Sequence, residues 1–242
     1  LNRINEILHQ RPEIAAPAGG VENPASHESS ISFRNVTMQF GDRTVIANVN
    51  LEIKAGEVVA IVGHTGSGKT TLINLIPRLF DPTEGFVELD GIDLRRFDPA
   101  ALRRQMGVVP QETFLFSATL AENIAWGVPD ADRSHIEWAA DVAGLTSDIA
   151  GFPDGLNTVI GERGLTLSGG QKQRTALARA NLRDPQILIL DDALSSVDTI
   201  TEEKILTGLA QVMENRTTIL ISHRVSTVQN ADRIIVLNHG RI

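Results

Sequence analysis

Hydrophobic and polar residues alternate in the first part of this chain, and that alternation predicts half-buried strands. The pattern is clear in the run ISFRNVTMQF at 31–40 and again at 45–53, and a third strand-like run, GFVELDG, surrounds Phe86. Alternation of this kind is typical of antiparallel sheets with one covered and one open face. The sequence therefore predicts an antiparallel β layer on the N-terminal side of the fold.

Shorter runs that are apolar throughout predict a second kind of sheet. They lie at 57–63, 186–190, 217–221 and 233–237. Continuous runs of this length are typical of parallel strands that are covered on both faces. Helical patterns separate the runs, so the sequence predicts a doubly wound α/β core.

A largely helical stretch interrupts the α/β pattern. Residues 100–184 read mostly as helices, and one helix is predicted at about 132–143. We expect a helical subdomain at about 112–184, inserted into the core.

The first 30 residues differ from the rest. Apolar residues at positions 1, 4, 7 and 8 have helical spacing, and Pro12 ends that pattern. The segment 15–30 is rich in Pro, Gly, Ser and Ala, which is typical of a flexible connector. We therefore predict the end of a helix and a linker over 1–30, followed by one folded domain over 31–242.

A glycine-rich segment at 63–70 carries the first candidate chemistry. It fits G-x-x-x-x-G-K-[ST], after a buried-strand pattern and before a helical pattern at 70–80. Glycines let successive N–H groups turn inward around phosphate oxygens, and the helix N-terminus adds its dipole. The alternative is an ordinary glycine-rich turn with a surface lysine. We expect Lys69 to reach the terminal phosphates and Thr70 to ligate Mg²⁺, and we expect the nucleotide to bind at Gly63, His64, Thr65, Gly66, Ser67, Gly68 and Thr71.

Two adjacent carboxylates end one of the apolar runs. The sequence ILILDD at 187–192 places Asp191 and Asp192 where a buried strand stops. Asp191 is expected to bind Mg²⁺ and Asp192 to face the water that attacks a phosphate. The alternative is that one aspartate caps the next turn.

A second anion-ready helix start lies within the predicted helical stretch. Ser168 and two glycines precede a helical pattern at 172–183 in the sequence LSGGQ. One domain already has a phosphate cradle, so the simpler reading is that Ser168 is an ordinary N-cap.

The phosphate-loop motif, LSGGQ and ILILDD, in that order, resemble the ABC transporter family. The resemblance covers essentially all of 31–242. It implies a P-loop NTPase (RecA-like) core that binds ATP with Mg²⁺. Two such cassettes pack head to tail in that family, and LSGGQ of one chain closes over ATP held by the other. The resemblance thus assigns ATP contacts in trans to Ser168, Gly169, Gly170 and Gln171.

The resemblance implies roles for further residues. Gln111 is similar to the family's Q-loop glutamine, which bridges Mg²⁺ and the membrane-domain contact. Phe40 lies where the family stacks an aromatic ring, more often Tyr, on adenine. His223 is similar to the switch histidine that acts with Lys69 and Asp192 in hydrolysis. Residues 195–198 resemble the D-loop, and 161–164 resemble the X-loop of exporters.

The family also implies a setting for the chain. The N-terminal segment resembles the junction between the last membrane helix of an exporter and its cassette, which puts the cassette on the cytoplasmic face of a membrane. The membrane domain is normally on the same chain. The sequence stops at HGRI, before the C-terminal helices that the family usually has.

Composition limits the other possibilities. The formal charge of −8 argues against a nucleic-acid surface, because phosphate neutralisation needs a basic face. The absence of cysteine excludes a disulfide framework, a thiolate metal site and a cysteine nucleophile. No apolar run approaches 18 residues, so we expect no membrane span.

One residue departs from the family pattern. The second acid is normally Glu, but here it is Asp192. In heterodimeric bacterial multidrug exporters one subunit often carries such a change. Its own site is slow, and its LSGGQ segment, which is the family's signature motif, serves the partner. The alternatives are an ATP-holding regulatory subunit with negligible turnover and a soluble ABC-type ATPase of DNA repair or the ribosome.

Overall fold

Two β-sheets organise the chain in the computed structural model, which describes residues 14–17, 28–128, 130–161 and 165–242. The helix predicted at the N-terminus and most of the predicted connector lie outside these residues. So do residues 162–164 of the segment that resembles an X-loop.

The first sheet is the predicted antiparallel layer. It consists of β1 (Ile31–Phe40), β2 (Arg43–Ile53), β4 (Glu84–Leu89) and the two-residue β5 (Ile92–Asp93), in the order β2-β1-β4-β5. Along β1, Ile31, Phe33, Val36 and Met38 are buried, so the alternation read from the sequence does mark the covered face.

The second sheet is parallel. It has the order β6-β7-β8-β3-β9 and contains β3 (Val58–Val62), β6 (Met106–Val109), β7 (Ile187–Asp191), β8 (Thr217–Ile221) and β9 (Arg233–Val236). Four of these strands coincide with the continuous apolar runs, and the predicted α/β fold class is confirmed.

The edge strand β6 was not predicted, because the sequence reads as helical from residue 100. It is only four residues long and contains Gly107. A Cβ at this glycine would lie 2.8 Å from Cγ of Pro185 and 3.1 Å from the Ala180 carbonyl oxygen. Close packing therefore requires the glycine that weakens the strand signal.

Alternate residues of the central strands belong to two separate cores. Ile187 and Ile189 of β7 pack with the antiparallel layer, whereas Leu188 and Leu190 pack with the helices on the opposite face. All five residues of β7 are buried. Both faces of the parallel sheet are thus covered, which explains the unbroken apolar runs.

The helices lie between and beside these strands. The helix predicted at 70–80 is shorter than expected, because Pro77 has no N–H for an intrahelical bond and Arg78 has a φ of 51°. No described helix is long and apolar enough to cross a membrane. The bounds are α1 Lys69–Asn74, α2 Pro99–Arg104, α3 Leu120–Ile124, α4 Arg133–Val142, α5 Thr146–Gly151, α6 Gly169–Leu182, α7 Thr199–Met213 and α8 Val225–Val228.

Candidate functional site

The carboxyl ends of the parallel strands surround a cavity of about 350 Å³. The loops after β3, β6, β7 and β8 all reach it, as expected for ligand sites at this edge of an α/β sheet. The predicted residues in its wall are Phe40, Thr65, Gly66, Gly68, Lys69, Thr70, Thr71, Gln111, Asp191, Asp192 and His223. Residues that sequence reasoning missed are Arg43, Val45 and Ile221.

The loop between β3 and α1 needs glycine for two separate reasons. Gly66 and Gly68 have φ values of 79° and 104°, which other residues rarely adopt. A Cβ at Gly68 would also lie 2.7 Å from the Ile46 side chain and 2.9 Å from the Val45 carbonyl oxygen. The loop therefore packs against β2 through backbone alone.

Lys69 is 7% exposed, so it is not the surface lysine of the alternative reading. Its ammonium donates hydrogen bonds to the carbonyl oxygens of Gly63 at 2.9 Å and His64 at 3.0 Å. Gly63, His64 and the buried Ser67 do not line the cavity.

The two acids after β7 have different surroundings. Asp191 is buried, and burial raises the pKa of its carboxyl, as does the neighbouring Asp192, against the opposing effects of the Thr70 hydroxyl and Lys69. Asp192 has a φ of 49°, and its N–H donates to the Ile221 carbonyl oxygen at 2.9 Å. This hydrogen bond fixes the Asp192 backbone to the end of β8.

Gln111 and His223 lie in the cavity wall on opposite sides of β7. Gln111 follows β6 and His223 follows β8, and both side chains are exposed. Among the residues that the structure describes, neither side chain has a hydrogen-bond partner within the chain. Both are therefore free to turn toward a bound molecule.

Phe40 forms the outer rim of the cavity. It is 50% exposed and makes an edge-to-face contact with Phe80, with ring centroids 5.6 Å apart. One face of its ring is thereby left available to a flat ligand.

The described residues contain no cluster of three His, Cys, Asp or Glu side chains that could hold a metal by themselves. Mg²⁺ does not need one, because it binds through one or two protein carboxylates and completes its shell with waters and phosphate oxygens. Asp191 and the Thr70 hydroxyl, which meet in the cavity, fit that requirement.

The signature segment 168–171 lies away from this cavity, at the start of α6. Ser168 is indeed an N-cap: its hydroxyl accepts from the Gln171 N–H at 3.2 Å, and Gln171 Oε1 accepts from the Ser168 N–H at 2.9 Å. Gly170 packs so closely that a Cβ would lie 2.8 Å from the Ser196 carbonyl oxygen. The chain thus presents two anion-ready helix starts that do not meet within it.

The C-terminal turn supports the glycine-rich loop. A Cβ at Gly63 would lie 2.1 Å from the Leu237 carbonyl oxygen, and the Gly240 N–H donates to the Ser67 carbonyl oxygen at 3.0 Å. A Cβ at Gly240 would lie 2.3 Å from the carbonyl oxygen of Val45. No motif in the sequence points to this support.

An aromatic patch follows Gln111 in the chain. Phe116 stacks on Trp126 with centroids 3.7 Å apart and meets Phe114 edge-on at 5.0 Å. Phe114 is 67% and Trp126 53% exposed, so the patch faces outward. Arg179 supports the patch by donating a hydrogen bond to the Phe114 carbonyl oxygen at 3.1 Å.

Comparisons with known proteins identify the family and the fold. The family model described as "ABC transporter" matches residues 46–195. The chain is 46% identical over 240 residues to an ATP-dependent lipid A-core flippase of Syntrophus aciditrophicus, covering 99% of the chain and 40% of the relative. It is 43% identical over 246 residues to the mitochondrial ATP-binding cassette sub-family B member 10 of Mus musculus, covering 99% of the chain and 34% of that protein.

A solved structure with the same fold is a bacterial Atm1-family ABC exporter with ATP bound. It superposes with a TM-score of 0.94 at 39% identity and covers 100% of the chain and 42% of the exporter chain. The chain therefore spans less than half the length of the relatives it matches.

Proposed function

This chain belongs to the ABC transporter family, and we propose that it is the cassette that binds and hydrolyses ATP to drive a membrane exporter. The observation that carries the proposal is the convergence of Lys69, Thr70, Gln111, Asp191 and His223 around one cavity, beside a loop whose glycines adopt the conformation of a phosphate cradle.

We infer that the triphosphate binds along the loop after β3. The N–H groups there and at the start of α1 supply donors, and Lys69 exchanges its two carbonyl contacts for phosphate oxygens. Phe40 offers its open ring face to adenine, and Arg43 and Val45 extend the same wall.

Hydrolysis requires water to attack the γ-phosphorus while the bond to the bridging oxygen breaks. Asp192 and His223 would orient this water and the phosphate, and Lys69 would stabilise the developing negative charge. Mg²⁺ held by Asp191, Thr70 and Gln111 would neutralise charge on the phosphate oxygens when bound.

The finer proposal concerns the second anion site. The segment 168–171 closes over ATP held by a second cassette, packed head to tail, which is either a copy of this chain or a related one. Its open donors are the backbone N–H groups of Gly169 and Gly170, since those of Ser168 and Gln171 are used in the capping box. The separation of α6 from the cavity within one chain supports this arrangement.

The proposed setting is the cytoplasmic face of a membrane, with a membrane domain on the same chain. The exposed aromatic patch of Phe114, Phe116 and Trp126 would receive that domain, because an outward apolar cluster of this kind is typical of a contact site. Gln111 lines the cavity and precedes Phe114 by three residues in the chain, so it would report nucleotide binding to the membrane domain.

The second part of the finer proposal is that ATP hydrolysis at this chain's own site is slow. Asp192 is one methylene shorter than Glu, so its carboxylate would stand back from the water, as in one subunit of heterodimeric multidrug exporters. If turnover is negligible, the chain is a regulatory ATP-holding subunit. Asp192 is the observation that favours this second candidate.

The test combines two lesions in the assembled full-length protein. Lys69→Ala removes ATP binding by one protomer, and Ser168→Arg blocks one signature. With the lesions on different protomers, head-to-tail pairing leaves one composite site intact together with its share of the ATPase activity, which is about half when both protomers are copies of this chain. With both lesions on the same protomer, neither site is complete and activity is lost.

Higher ATPase activity with both lesions on the same protomer than with the lesions on different protomers would contradict trans pairing. In a cis arrangement, one site is spared only when both lesions share a protomer. Absence of ATP hydrolysis by the unmodified assembly would refute the enzymatic proposal itself. Where the second cassette is a related chain, the second lesion is placed at its matching position.

A further inference from the structure

A buried carboxylate outside the cavity joins three segments of the proposed machinery. Glu202, in the first turn of α7, is 2% exposed. Its carboxylate accepts hydrogen bonds from Ser226 at 2.8 Å and Thr227 at 2.9 Å and forms an ion pair with Arg224. All three partners lie within the four residues that follow His223.

Arg224 extends this network to the loop after β7. Its guanidinium donates to the Ser195 carbonyl oxygen at 2.9 Å, and the Ser195 N–H donates to the Asp192 carbonyl oxygen at 3.1 Å. The loop that carries His223 is thereby tied to the loop that carries Asp192.

His223 has no anchor of its own. Its side chain is exposed and, in the described part of the chain, no hydrogen bond holds it. The flanking residues are fixed: Ser222 is buried, and its hydroxyl accepts from the Arg224 N–H at 3.1 Å. The position of His223 therefore depends on the contacts of its neighbours.

The network is built to hold a charge. The hydrogen bonds from Ser226, Arg224 and Thr227 keep the pKa of Glu202 below its usual value even though burial raises it. A buried carboxylate of this kind is stable only with its donors in place, and the half-buried Arg224 loses its compensating charge when the acid is removed. The ion pair between Glu202 and Arg224 thus fixes the relative positions of the segments that it joins.

We propose that Glu202 and Arg224 are positioning residues that set the spacing between the His223 loop and the Asp192 loop. The inference rests on the proposed ATP hydrolysis. Neither side chain lines the cavity, so both act through the residues beside them. Geometric errors near 1 Å at a reacting centre cost on the order of 10²-fold in rate.

The test is a double-mutant cycle in the assembled full-length protein, read by single-turnover hydrolysis at this chain's own site and by ATP affinity. Glu202→Gln keeps the shape and removes the charge. It should lower the hydrolysis rate by roughly tenfold to a hundredfold and leave ATP affinity unchanged. Glu203→Gln, an exposed neighbour on the same helix, should change neither quantity.

The decisive comparison is made in the His223→Ala background. There Glu202→Gln should cause no further loss, because the group that it positions is gone. An equal loss in both backgrounds, or a wild-type rate for Glu202→Gln, overturns the positioning role. If Glu202→Gln fails to fold, Arg224→Lys replaces it, since lysine keeps the charge but lacks the planar fork that reaches Ser195.

The proposed function and the positioning role of Glu202 and Arg224 are refuted by different results. An unmodified assembly that hydrolyses no ATP refutes the proposed function, and the positioning role falls with it. An active assembly that loses activity with His223→Ala but not with Glu202→Gln or Arg224→Lys refutes only the positioning role.

Discussion

The Thr70 hydroxyl lies beside the Asp191 carboxylate, so the first turn of α1 meets the end of β7 inside the cavity. This contact lowers the pKa of Asp191, but burial and the charge of Asp192 outweigh it and the net pKa is raised. A carboxyl with a raised folded-state pKa binds protons more readily when folded, so its contribution to stability is lost as pH rises through that pKa.

Asp191→Asn should therefore raise the melting temperature at neutral pH when nucleotide and Mg²⁺ are absent. The gain should vanish below the ordinary carboxyl pKa, where wild-type Asp191 is protonated in both states. Thermal unfolding from pH 3 to pH 8 measures this, with Asp42→Asn in the exposed β1–β2 turn as control. A variant that is less stable than wild type at neutral pH would contradict the sign.

Lys69→Ala should remove most ATP affinity and leave the fold intact. Loss of a charge-assisted hydrogen bond to phosphate costs about 1.5–3 kcal/mol, which is roughly 10- to 150-fold in the dissociation constant. Titration with a fluorescent ATP analogue measures the change, and Lys204→Ala, an exposed lysine on α7, is the control. Unchanged binding by a folded variant would remove Lys69 from the site.

Gly66→Ala and Gly68→Ala should separate the energetic cost of a positive φ from the cost of a steric collision. Both glycines have positive φ, but a Cβ at Gly66 has no neighbour within 4 Å, whereas one at Gly68 would collide with Ile46 and Val45. Gly66→Ala should cost roughly 1–2 kcal/mol, and Gly68→Ala should cost more. Urea unfolding of the two variants measures the difference in the free energy of unfolding. Equal losses would mean that β2 shifts to accommodate the new methyl group at position 68.

Asp192→Glu should raise single-turnover hydrolysis at this chain's own site by about tenfold or more, because a positioned base contributes roughly 10²–10⁴-fold. The test uses the assembled protein with the partner's catalytic acid removed. ATP affinity should not change, since Lys69 and Asp191 remain.

The φ of 49° at Asp192 sets a limit on that gain. Asp tolerates this left-handed conformation better than most residues, so Glu must accept some strain there. Asp192→Asn keeps the length and the tolerated conformation but removes the charge, and it should abolish the remaining hydrolysis. A wild-type rate already equal to that of the partner site would contradict the slow-site proposal.

The sequence was sufficient where a local pattern has a local cause. The apolar runs predicted four parallel strands because both faces of that sheet are covered. The spacing around Asp132 predicted α4, whose N-terminus the Asp132 side chain caps by accepting from the His135 N–H at 2.9 Å.

It was insufficient where the cause is tertiary. Gly107 weakens the strand signal of β6, because packing against Pro185 and Ala180 requires a residue without a side chain. Pro77, in contrast, is a local signal for the end of α1 that the helical pattern at 70–80 outweighed. Arg43 and Ile221 enter the cavity wall from strands far apart in the chain. Glu202 and Arg224 carry no motif that links them, and only the fold reveals their ion pair.

The close packing of the C-terminal turn at Gly240 limits the substitutions that this sequence can accept. Both Gly68 and Gly240 lie so close to the Val45 carbonyl oxygen that a Cβ at either position would collide with it. Natural selection for ATP binding therefore reaches a residue that is far from every recognisable motif. Among descendants of a common ancestor, positions 45, 68 and 240 should be inherited as a set, and an allele altered at Gly240 should behave as a nucleotide-binding defect.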